Sequence, residues 1–542
     1  MTPKGVSAMT ERDAQKDRTG PAYVLAIDLG SGGPKVGIVS ESGEVVASAV
    51  EKTSMYLLPN GGAEQDPEEW WQAVARASRK VVLDSGLPPE RIVAVGCTTQ
   101  WSVIVPVDEA GKPLMNAVHW LDTRGAPYNR AISRGFPSLE GYGLTKLYHW
   151  VRLVGMPPTP GGSDALAHIL FIKHERPEVY RKTYKFLEPM DFLAMRMTGR
   201  CASSQSNVFP LLLTDNRTTD CRQYNDTLIK LSGIDREKLP ELLPSDGILG
   251  PLLPEIADEL GLTTAAQVVT PANDDHTAAI GAGAVRDFDP VWVLGTSGFL
   301  ACHVPRKKTD LFNQITTMPS PIPGRHLMFC EMGGAGKAVE FLLNNIIYSR
   351  DGFETGPAPP DLYQRIDRVA AECPAGSESV LFLPWLNGAL VPEQTPYMRG
   401  AFLNLSNKTT RVHLARAVLE GIVFNLRWLF GPVRKFIGQP FPFLRLAGAG
   451  ALSDTWAQIH ADILGVPVHQ LEDPRNANVR GAAFLAFDRL GHCRLEDVPA
   501  KVKVRKVYEP DEKNRKVYDK LYGQFRAAYK AHKPICKVLN RP

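Results

Sequence analysis

The sequence has little that would tie the protein to nucleic acid, to a membrane or to a disulfide scaffold. Its 62 basic and 58 acidic residues leave a formal net charge of +4, which is too close to neutral to favour a nucleic acid or a membrane surface as partner. No apolar run is long enough for a transmembrane helix. The eight cysteines are scattered without a CxxC pair, so we expect reduced thiols and a cytoplasmic protein.

Common nucleotide-binding and metal-binding motifs are also missing. The chain has no GxxxxGK followed by Ser or Thr and no GxGxxG after a strand, which excludes a P-loop and a dinucleotide fingerprint. Its 12 histidines show no HExxH spacing, which argues against a zinc site. Residues 1–21 are polar and lack the apolar segment of a secretory signal, and we expect them to form a disordered N-terminal arm.

At 542 residues the chain is too long for a single hydrophobic core. Residues 23–50 read as apolar strands around a glycine-rich turn and a second polar turn, the pattern of a hairpin or meander. A strand, a glycine-containing turn and a strand recur at 291–304, and a Gly-Ala-Gly turn follows a strand and opens a helix at 443–468. Strands alternate with helical segments elsewhere, so we predict two similar α/β domains facing each other across a cleft.

Glycine-rich turns let backbone N–H groups approach a phosphate, but each turn taken alone is more often only a turn. The segment PANDDHTAAIGAGA, residues 271–284, places Asp274 and Asp275 before a run of small residues. An aspartate there suits a helix N-terminus as a cap, and the Ala and Gly spacing favours close packing of that helix. The residues alone therefore leave a structural and a catalytic interpretation of the two aspartates open.

The order of the motifs resembles the FGGY carbohydrate kinases, and within them the xylulokinases, from about residue 23 to about residue 530. The matching segments include Asp28-Leu29-Gly30-Ser31, Glu64-Gln65-Asp66-Pro67 with Trp70, and Trp120 with Asp122 and Arg124. The later ones are LEPMDFLAMRMTG at 187–199, Gly295-Thr296-Ser297-Gly298, RAVLEGIVFNLR at 416–427, and Gly448-Ala449-Gly450-Ala451 with Ser453 and Trp456.

The resemblance implies an α/β fold with two actin/hexokinase-like (ribonuclease H-like) domains flanking a cleft for ATP and sugar. The N-terminal domain, residues 22–286, would hold the sugar, the first phosphate loop and the catalytic aspartate. The C-terminal domain, residues 287–542, would hold the second phosphate loop and the adenosine loop. The implied cofactors are ATP and Mg²⁺. The expected partners are the sugar and ATP, without nucleic acid or membrane, and a homodimer is left open.

The resemblance also implies individual roles. Asp275 would be the general base, because Ala278 meets the family's alanine three residues after its base, and Asp274 is the competing choice. Asp28 would hold Mg²⁺. The expected ATP contacts are Gly30, Ser31, Lys35, Gly295, Thr296, Ser297, Gly448, Ala449, Gly450 and Ser453. The expected substrate-side residues are Gln100, Trp101, Asp122, Arg124 and Asp274.

Two segments depart from the xylulokinase pattern on the sugar side. The family's Gln-Met-His-Gly is Gln100-Trp101-Ser102-Val103 here, and its Gly-Glu-Arg-x-Pro is GALVP at 388–392. We therefore expect an ATP-dependent kinase for a ketopentose such as D-xylulose, with other pentuloses, deoxy sugars and glycerol left open. The alternative is a catalytically silent relative that binds sugar or nucleotide in a regulatory role.

Overall fold

The computed structural model describes residues 20–349, 351–352, 356–391 and 393–540. Almost all of the expected N-terminal arm, residues 1–21, lies outside the described residues, as does Pro392 of the GALVP segment.

The first half of the described chain builds a mixed sheet with helices on both faces. Its strands are Tyr23–Gly30 (β1), Gly33–Ser40 (β2), Val45–Val50 (β3), Tyr56–Leu57 (β4), Ala63–Gln65 (β5), Ile92–Thr99 (β6), Val105–Val107 (β7), Ala117–Val118 (β8), Ser138–Leu139 (β9), Tyr142–Gly143 (β10), Lys185–Leu187 (β11), Ala202–Ser204 (β12), Glu241–Leu243 (β13), Ile248–Pro251 (β14), Gln267–Val269 (β15) and Ala272–Asn273 (β16). Its α-helices are Pro67–Ser85 (α1), Ala126–Ser133 (α2), Leu144–Leu153 (α3), Ala165–Glu175 (α4), Pro177–Lys182 (α5), Pro189–Thr198 (α6), Asp226–Ser232 (α7), Pro254–Leu260 (α8) and Asp274–Gly281 (α9).

The main sheet of this half has the order β14-β15-β6-β1-β2-β3, and β16 also pairs with β6. β1 and β2 are antiparallel from Tyr23 opposite Ser40 to Gly30 opposite Gly33, and β2 continues antiparallel to β3. The meander predicted for residues 23–50 is therefore confirmed. β6 and β16 run parallel to this system, so the carboxyl ends of β1, β6 and β16 meet at one edge of the sheet.

The second half of the described chain repeats this architecture. Its strands are Val291–Leu294 (β17), Gly298–Val304 (β18), Thr316–Pro319 (β19), His326–Gly333 (β20), Leu381–Leu383 (β21), Ala401–Leu403 (β22), Leu444–Ala447 (β23), Val468–Leu471 (β24) and Val504–Tyr508 (β25). Its α-helices are Ala335–Leu342 (α10), Leu362–Glu372 (α11), Arg411–Ile437 (α12), Asp454–Leu464 (α13), Ala477–Arg489 (α14), Val498–Lys501 (α15) and Glu512–Asn540 (α16).

The second sheet has the order β19-β20-β18-β17-β23-β24-β25. Here β17, β18 and β20 form an antiparallel meander, and β23 and β24 extend it in parallel. β17 and β18 thus occupy the places that β1 and β2 take in the first sheet, with β23 in the place of β6. The predicted likeness of the two units is confirmed. The two sheets fall on either side of residue 286, and the domain bounds themselves stay a prediction.

Helix α9 packs closely against α14, as the run of small residues predicted. A Cβ on Gly281 would lie 1.7 Å from the backbone oxygen of Ala477, and a Cβ on Gly481 would lie 1.9 Å from that of Thr277. On its other side α14 meets the first sheet, where a Cβ on Gly96 would lie 2.6 Å from the oxygen of Ala482. Glycine at these positions therefore allows two backbones to touch and holds α9 in place.

Among the described residues, no helix combines the length and the apolar character needed to cross a membrane.

Candidate active site

A cavity of about 530 Å³ opens where the β1–β2 turn approaches the β17–β18 turn. Its inner lining joins parts of the chain that are remote in sequence, and it includes Gly30, Ser31, Asp274, Asp275, Thr296 and Ser297. Gln100 and Trp101, which follow β6, line it as well. One cavity therefore brings together three of the predicted groups of residues: the base, the first two glycine-rich loops and part of the substrate-side set.

The two aspartates lie in the first turn of α9, but neither caps the helix. The N-cap is Asn273, whose side-chain oxygen accepts a hydrogen bond from the His276 backbone N–H at 3.2 Å and from His276 Nδ1 at 2.7 Å. The interpretation of either aspartate as the helix cap is therefore wrong. Among the described residues, Asp274 Oδ1 and Asp275 Oδ2 have no hydrogen-bond partner. Both carboxylates remain available to a ligand in the cavity.

Burial and like charge act together on these carboxylates. Burial, then the neighbouring charges of Asp274 and Glu331, raise the pKa of Asp275 well above its usual range, against a hydrogen bond from Trp101 that lowers it. Burial and the charge of Asp28 raise the pKa of Asp274 to about 8. Burial raises the pKa of Asp28 too, opposed by Lys35 and Asn478. Such a cluster of acids in one cavity is typical of a site built for charge or proton transfer.

Sequence reasoning missed Glu331. This residue lies on β20, opposite Phe299 of β18, and lines the cavity. Burial raises the pKa of its carboxyl group, while a hydrogen bond from Ser297 and the charge of Lys337 lower it. The signal available in the sequence is a single acid inside the apolar strand HLMFCEMG.

We expect Asp274→Asn to shift the pH dependence of any reaction that uses Asp275 as a base. The substitution removes a like charge, so it lowers the pKa of Asp275 and moves the acid limb of the kcat/KM profile to lower pH.

The same substitution should change how the stability of the protein depends on pH. Because the folded pKa of Asp274 is about 8 and an unfolded aspartate titrates near about 4, the native protein loses stability as pH rises across that window. Melting temperatures measured from pH 4 to 8 should fall less steeply for Asp274→Asn. Parallel profiles for the two proteins would contradict the coupling.

The first loop is held by a hydrogen-bond network behind it. The Ser31 hydroxyl donates to Gln100 Oε1 at 2.6 Å and accepts from the Trp120 indole N–H at 3.1 Å. Burial lowers the pKa of His119 to about 3, and its Nδ1 accepts from the Leu121 backbone N–H. Its Nε2 therefore carries the proton and donates to Gln100 Oε1 at 2.9 Å. Gln100 is thus committed to fixing the loop.

Lys35 and Ser453, whose roles as ATP contacts stay a prediction, make hydrogen bonds within the protein. The Lys35 ammonium donates to the backbone oxygen of Arg475 at 2.7 Å, and the residue pairs with Asp28 across β1 and β2. Ser453 caps α13, where its hydroxyl accepts from the Trp456 N–H at 2.9 Å and donates to Asp367. Both side chains are occupied within the protein.

The second glycine-rich loop is supported by the start of α10. Gly295 N–H donates to the Ser297 oxygen at 3.0 Å, and Gly336 N–H donates to the Gly295 oxygen at 3.1 Å. A Cβ on Gly336 would lie 2.4 Å from that same oxygen, so the approach requires glycine. The signal for this support in the sequence is the run GGAGK at 333–337.

The third glycine-rich loop lies directly behind the second. Gly448 has a φ of +85°, and a Cβ there would lie 2.5 Å from the backbone oxygen of Leu294, the residue before Gly295. A Cβ on Gly450 would lie 2.9 Å from the Leu294 side chain. The loops predicted for phosphate and adenosine are therefore adjacent, although the chain separates them widely.

Asp122 and Arg124, predicted on the substrate side, lie outside the cavity lining. Asp122 is fully buried, and its carboxylate accepts from the Ala63 N–H at 2.9 Å and from the Arg124 side chain at 2.8 Å. Arg124 also pairs with Glu64 at 2.7 Å. Because this network satisfies both charges, the two residues hold the loop that carries Trp120 toward Ser31, and their contact with a substrate stays a prediction.

The acids of the cavity fit a magnesium ion better than a zinc ion. Among the described residues, no group of three or more His, Cys, Asp or Glu side chains is arranged to hold a metal by itself. Mg²⁺ needs only one or two carboxylates when phosphate oxygens and water complete its shell. Asp28 and Asp274 are close enough for the charge of one to raise the pKa of the other, and Asp274 has an oxygen without a partner.

Two family models match consecutive parts of the chain. The one described as the N-terminal domain of the FGGY family of carbohydrate kinases matches residues 23–281. The one described as the C-terminal domain of the same family matches residues 291–488. Together they span well over half of the sequence.

Individual relatives are similar along most of their length. Xylulose kinase from Staphylococcus epidermidis is 27% identical over 522 residues, which cover 94% of this chain and 97% of the relative. Gluconokinase from Bacillus subtilis is 25% identical over 448 residues, which cover 82% of this chain and 83% of the relative. The crystal structure of xylulose kinase from Rhodospirillum rubrum is similar in fold, with a TM-score of 0.80 at 24% identity over 95% of this chain and 99% of the other.

Proposed function

The chain belongs to the FGGY family of carbohydrate kinases, and from this premise we propose that it transfers the γ-phosphoryl group of ATP to a hydroxyl of a ketopentose-like sugar such as D-xylulose. The predicted α/β fold with two actin/hexokinase-like domains is confirmed by the family and by the two matching sheets. The protein is a carbohydrate kinase. The choice of sugar and the role of each residue are our proposal.

The observation that carries the proposal is the position of Asp275. Its carboxylate is buried, has an oxygen without a partner, and lies in a cavity that both Gly30-Ser31 and Thr296-Ser297 line. A base between two such loops has the arrangement that phosphoryl transfer requires, because the reaction depends on positioning and charge stabilisation more than on covalent chemistry.

In the proposed reaction, Asp275 Oδ2 accepts the proton of the attacking sugar hydroxyl. The sugar oxygen forms a bond to the γ-phosphorus, the bond between the γ-phosphorus and the β–γ bridging oxygen breaks, and ADP leaves with that oxygen. The raised pKa of Asp275 makes its carboxylate a better proton acceptor than an exposed aspartate. Backbone N–H groups of the two glycine-rich loops stabilise the phosphate oxygens from either side.

Asp28 and Asp274 would hold Mg²⁺ in this site. The ion, when bound, would neutralise charge on the phosphate oxygens. It would also offset the repulsion that raises the pKa of Asp274, and so it would stabilise the clustered carboxylates in their charged form. Lys35 lies opposite Asp28 across β1 and β2, and its ammonium donates to the Arg475 backbone oxygen.

The direct test is ADP release by the purified protein with ATP, Mg²⁺ and single sugars. The panel comprises D-xylulose, D-ribulose, gluconate, their deoxy analogues and glycerol, with Asp275→Asn as the matched control for contaminating kinases. We expect turnover with at least one ketose that the control lacks. Silence across the panel, with ATP still bound in calorimetry, would favour the alternative of a catalytically silent relative.

A further inference from the structure

The cavity wall beside Asp275 is made of aromatic rings. Trp101 stands with its ring centroid 6.1 Å from Phe209 and 6.2 Å from Phe329, and Phe329 lies 5.6 Å from Phe299. All four side chains line the cavity. Trp101 also donates a hydrogen bond to Asp275, so this aromatic wall, defined by Phe209, Trp101, Phe329 and Phe299, begins at the proposed base.

Aliphatic side chains continue the aromatic wall. They come from four separate segments of the chain and line the same cavity: Met156, Leu212, Ile315, Leu390 and Val391. Leu390 stands where the resembled family has the arginine of its Glu-Arg pair, and Ala389 stands where it has the glutamate. The surface offered to the part of a substrate that does not react is therefore largely apolar.

Several polar side chains that line the cavity are occupied within the protein, whereas the Thr309 hydroxyl, which also lines it, has no partner among the described residues. Ser102 donates to the Ser163 backbone oxygen at 2.8 Å. One oxygen of Asp164 accepts from the Ala167 N–H at 2.9 Å and the other from Asn129 at 2.7 Å. Asp310 likewise binds Asn313 through both of its oxygens. The free carboxylate oxygens at the cavity belong instead to Asp274 and Asp275.

The contrast between the apolar wall and the free carboxylates of Asp274 and Asp275 indicates what kind of substrate fits the cavity. A sugar hydroxyl that leaves water for the ring faces of the aromatic wall loses its hydrogen bonds, whereas a methyl or methylene group gains contact there. We propose that the acceptor is a sugar with an apolar group, such as a terminal methyl in place of a hydroxymethyl, that packs on the aromatic wall while its reacting hydroxyl reaches Asp275. The inference rests on the proposed function and narrows it to a deoxygenated ketose.

The test compares matched pairs that differ by one hydroxyl: D-xylulose with 1-deoxy-D-xylulose, and D-ribulose with 1-deoxy-D-ribulose. Affinity is measured by calorimetry with Mg²⁺ and a non-hydrolysable ATP analogue, and kcat/KM by ADP release with ATP. We expect the deoxy member of at least one pair to bind about tenfold more tightly and to show a similarly higher kcat/KM. Equal or tighter binding of the hydroxylated member in both pairs, or no binding of either deoxy sugar, would overturn the inference.

Two variants test whether the preference for the deoxy sugar comes from the aromatic wall. Phe329→Gln places an amide between Trp101 and Phe299. We therefore expect the ratio of kcat/KM for the deoxy sugar to kcat/KM for the hydroxylated sugar to fall toward one. Phe312→Gln is the matched control, because that ring is 91% exposed and does not line the cavity; its preference should equal the wild type's. An unchanged deoxy preference in a folded Phe329→Gln protein would also overturn the inference. If that variant does not fold, the measurements of the matched sugar pairs with the wild-type protein decide the inference.

The two proposals fail in different ways. A deoxy preference in binding without any turnover would contradict the proposed kinase reaction and leave the inference standing. Turnover that favours the fully hydroxylated sugars would support the kinase reaction and overturn the inference.

Discussion

Asp275→Asn is expected to bind ATP as the wild type does and to lose about 10²–10⁴-fold in kcat, the usual contribution of a general base. The amide keeps the shape of the side chain but cannot accept the proton of the sugar hydroxyl. The N-cap at Asn273 does not involve Asp275, so α9 should form normally. The measurements are steady-state ADP release and the affinity for ATP by calorimetry.

The matched control is Asp274→Asn, one residue earlier in the same helical turn. It should lose less activity at saturating Mg²⁺, because the proposal gives Asp274 a role in holding the ion and not in accepting the proton. Near-normal turnover in Asp275→Asn would contradict the assignment and move the base to Asp274. A loss of ATP affinity equal to the loss of kcat would indicate damage to the site and not to the proton transfer.

Gly481→Ala is expected to destabilise the protein by about 3 kcal/mol or more, because overpacking against backbone has no flexible side chain to give way. The added Cβ would lie 1.9 Å from the Thr277 oxygen, so α9 and α14 must move apart. For a domain of this size that loss lowers the melting temperature by about 6–12 °C. Activity should fall as well, since α9 carries Asp275. Thermal unfolding followed by circular dichroism measures the first effect.

Gly523→Ala supplies the control of opposite sign. Gly523 lies inside α16 with no atom within 4 Å of an added Cβ, so alanine there should stabilise by about 0.5–1 kcal/mol through helix propensity. If both variants melted at the same temperature, the close contact between α9 and α14 would not be the constraint that the structure indicates.

Local patterns in the sequence determined much of the fold. The alternating apolar residues and glycine-rich turns of 23–50 and 291–304 predicted the two meanders, because strand and turn preferences act over a few neighbouring residues. The run of small residues after Asp275 predicted close helix packing, because this signal too lies within a few neighbouring residues. The order of the motifs identified the family, and with it the carbohydrate kinase activity.

The candidate site was less accessible to sequence reasoning, because which side chains are already occupied depends on partners far along the chain. Asp122 and Arg124 match a substrate-side motif, yet their charges are satisfied by each other and by Glu64. The sequence pattern left an aspartate open as the cap of α9, whereas Asn273 makes those hydrogen bonds. Residue type gave no means of distinguishing a free carboxylate from an occupied one.

The sequence by itself determined the two α/β units, their glycine-rich loops and the aspartate proposed as base. Only the tertiary structure brought Glu331 to the two aspartates and joined Phe209, Trp101, Phe329 and Phe299 into one wall. These residues come from separate strands and loops, and no local periodicity relates them. Periodicity reports the face that a residue shares with its near neighbours, whereas a site depends on which faces the folded chain sets against each other.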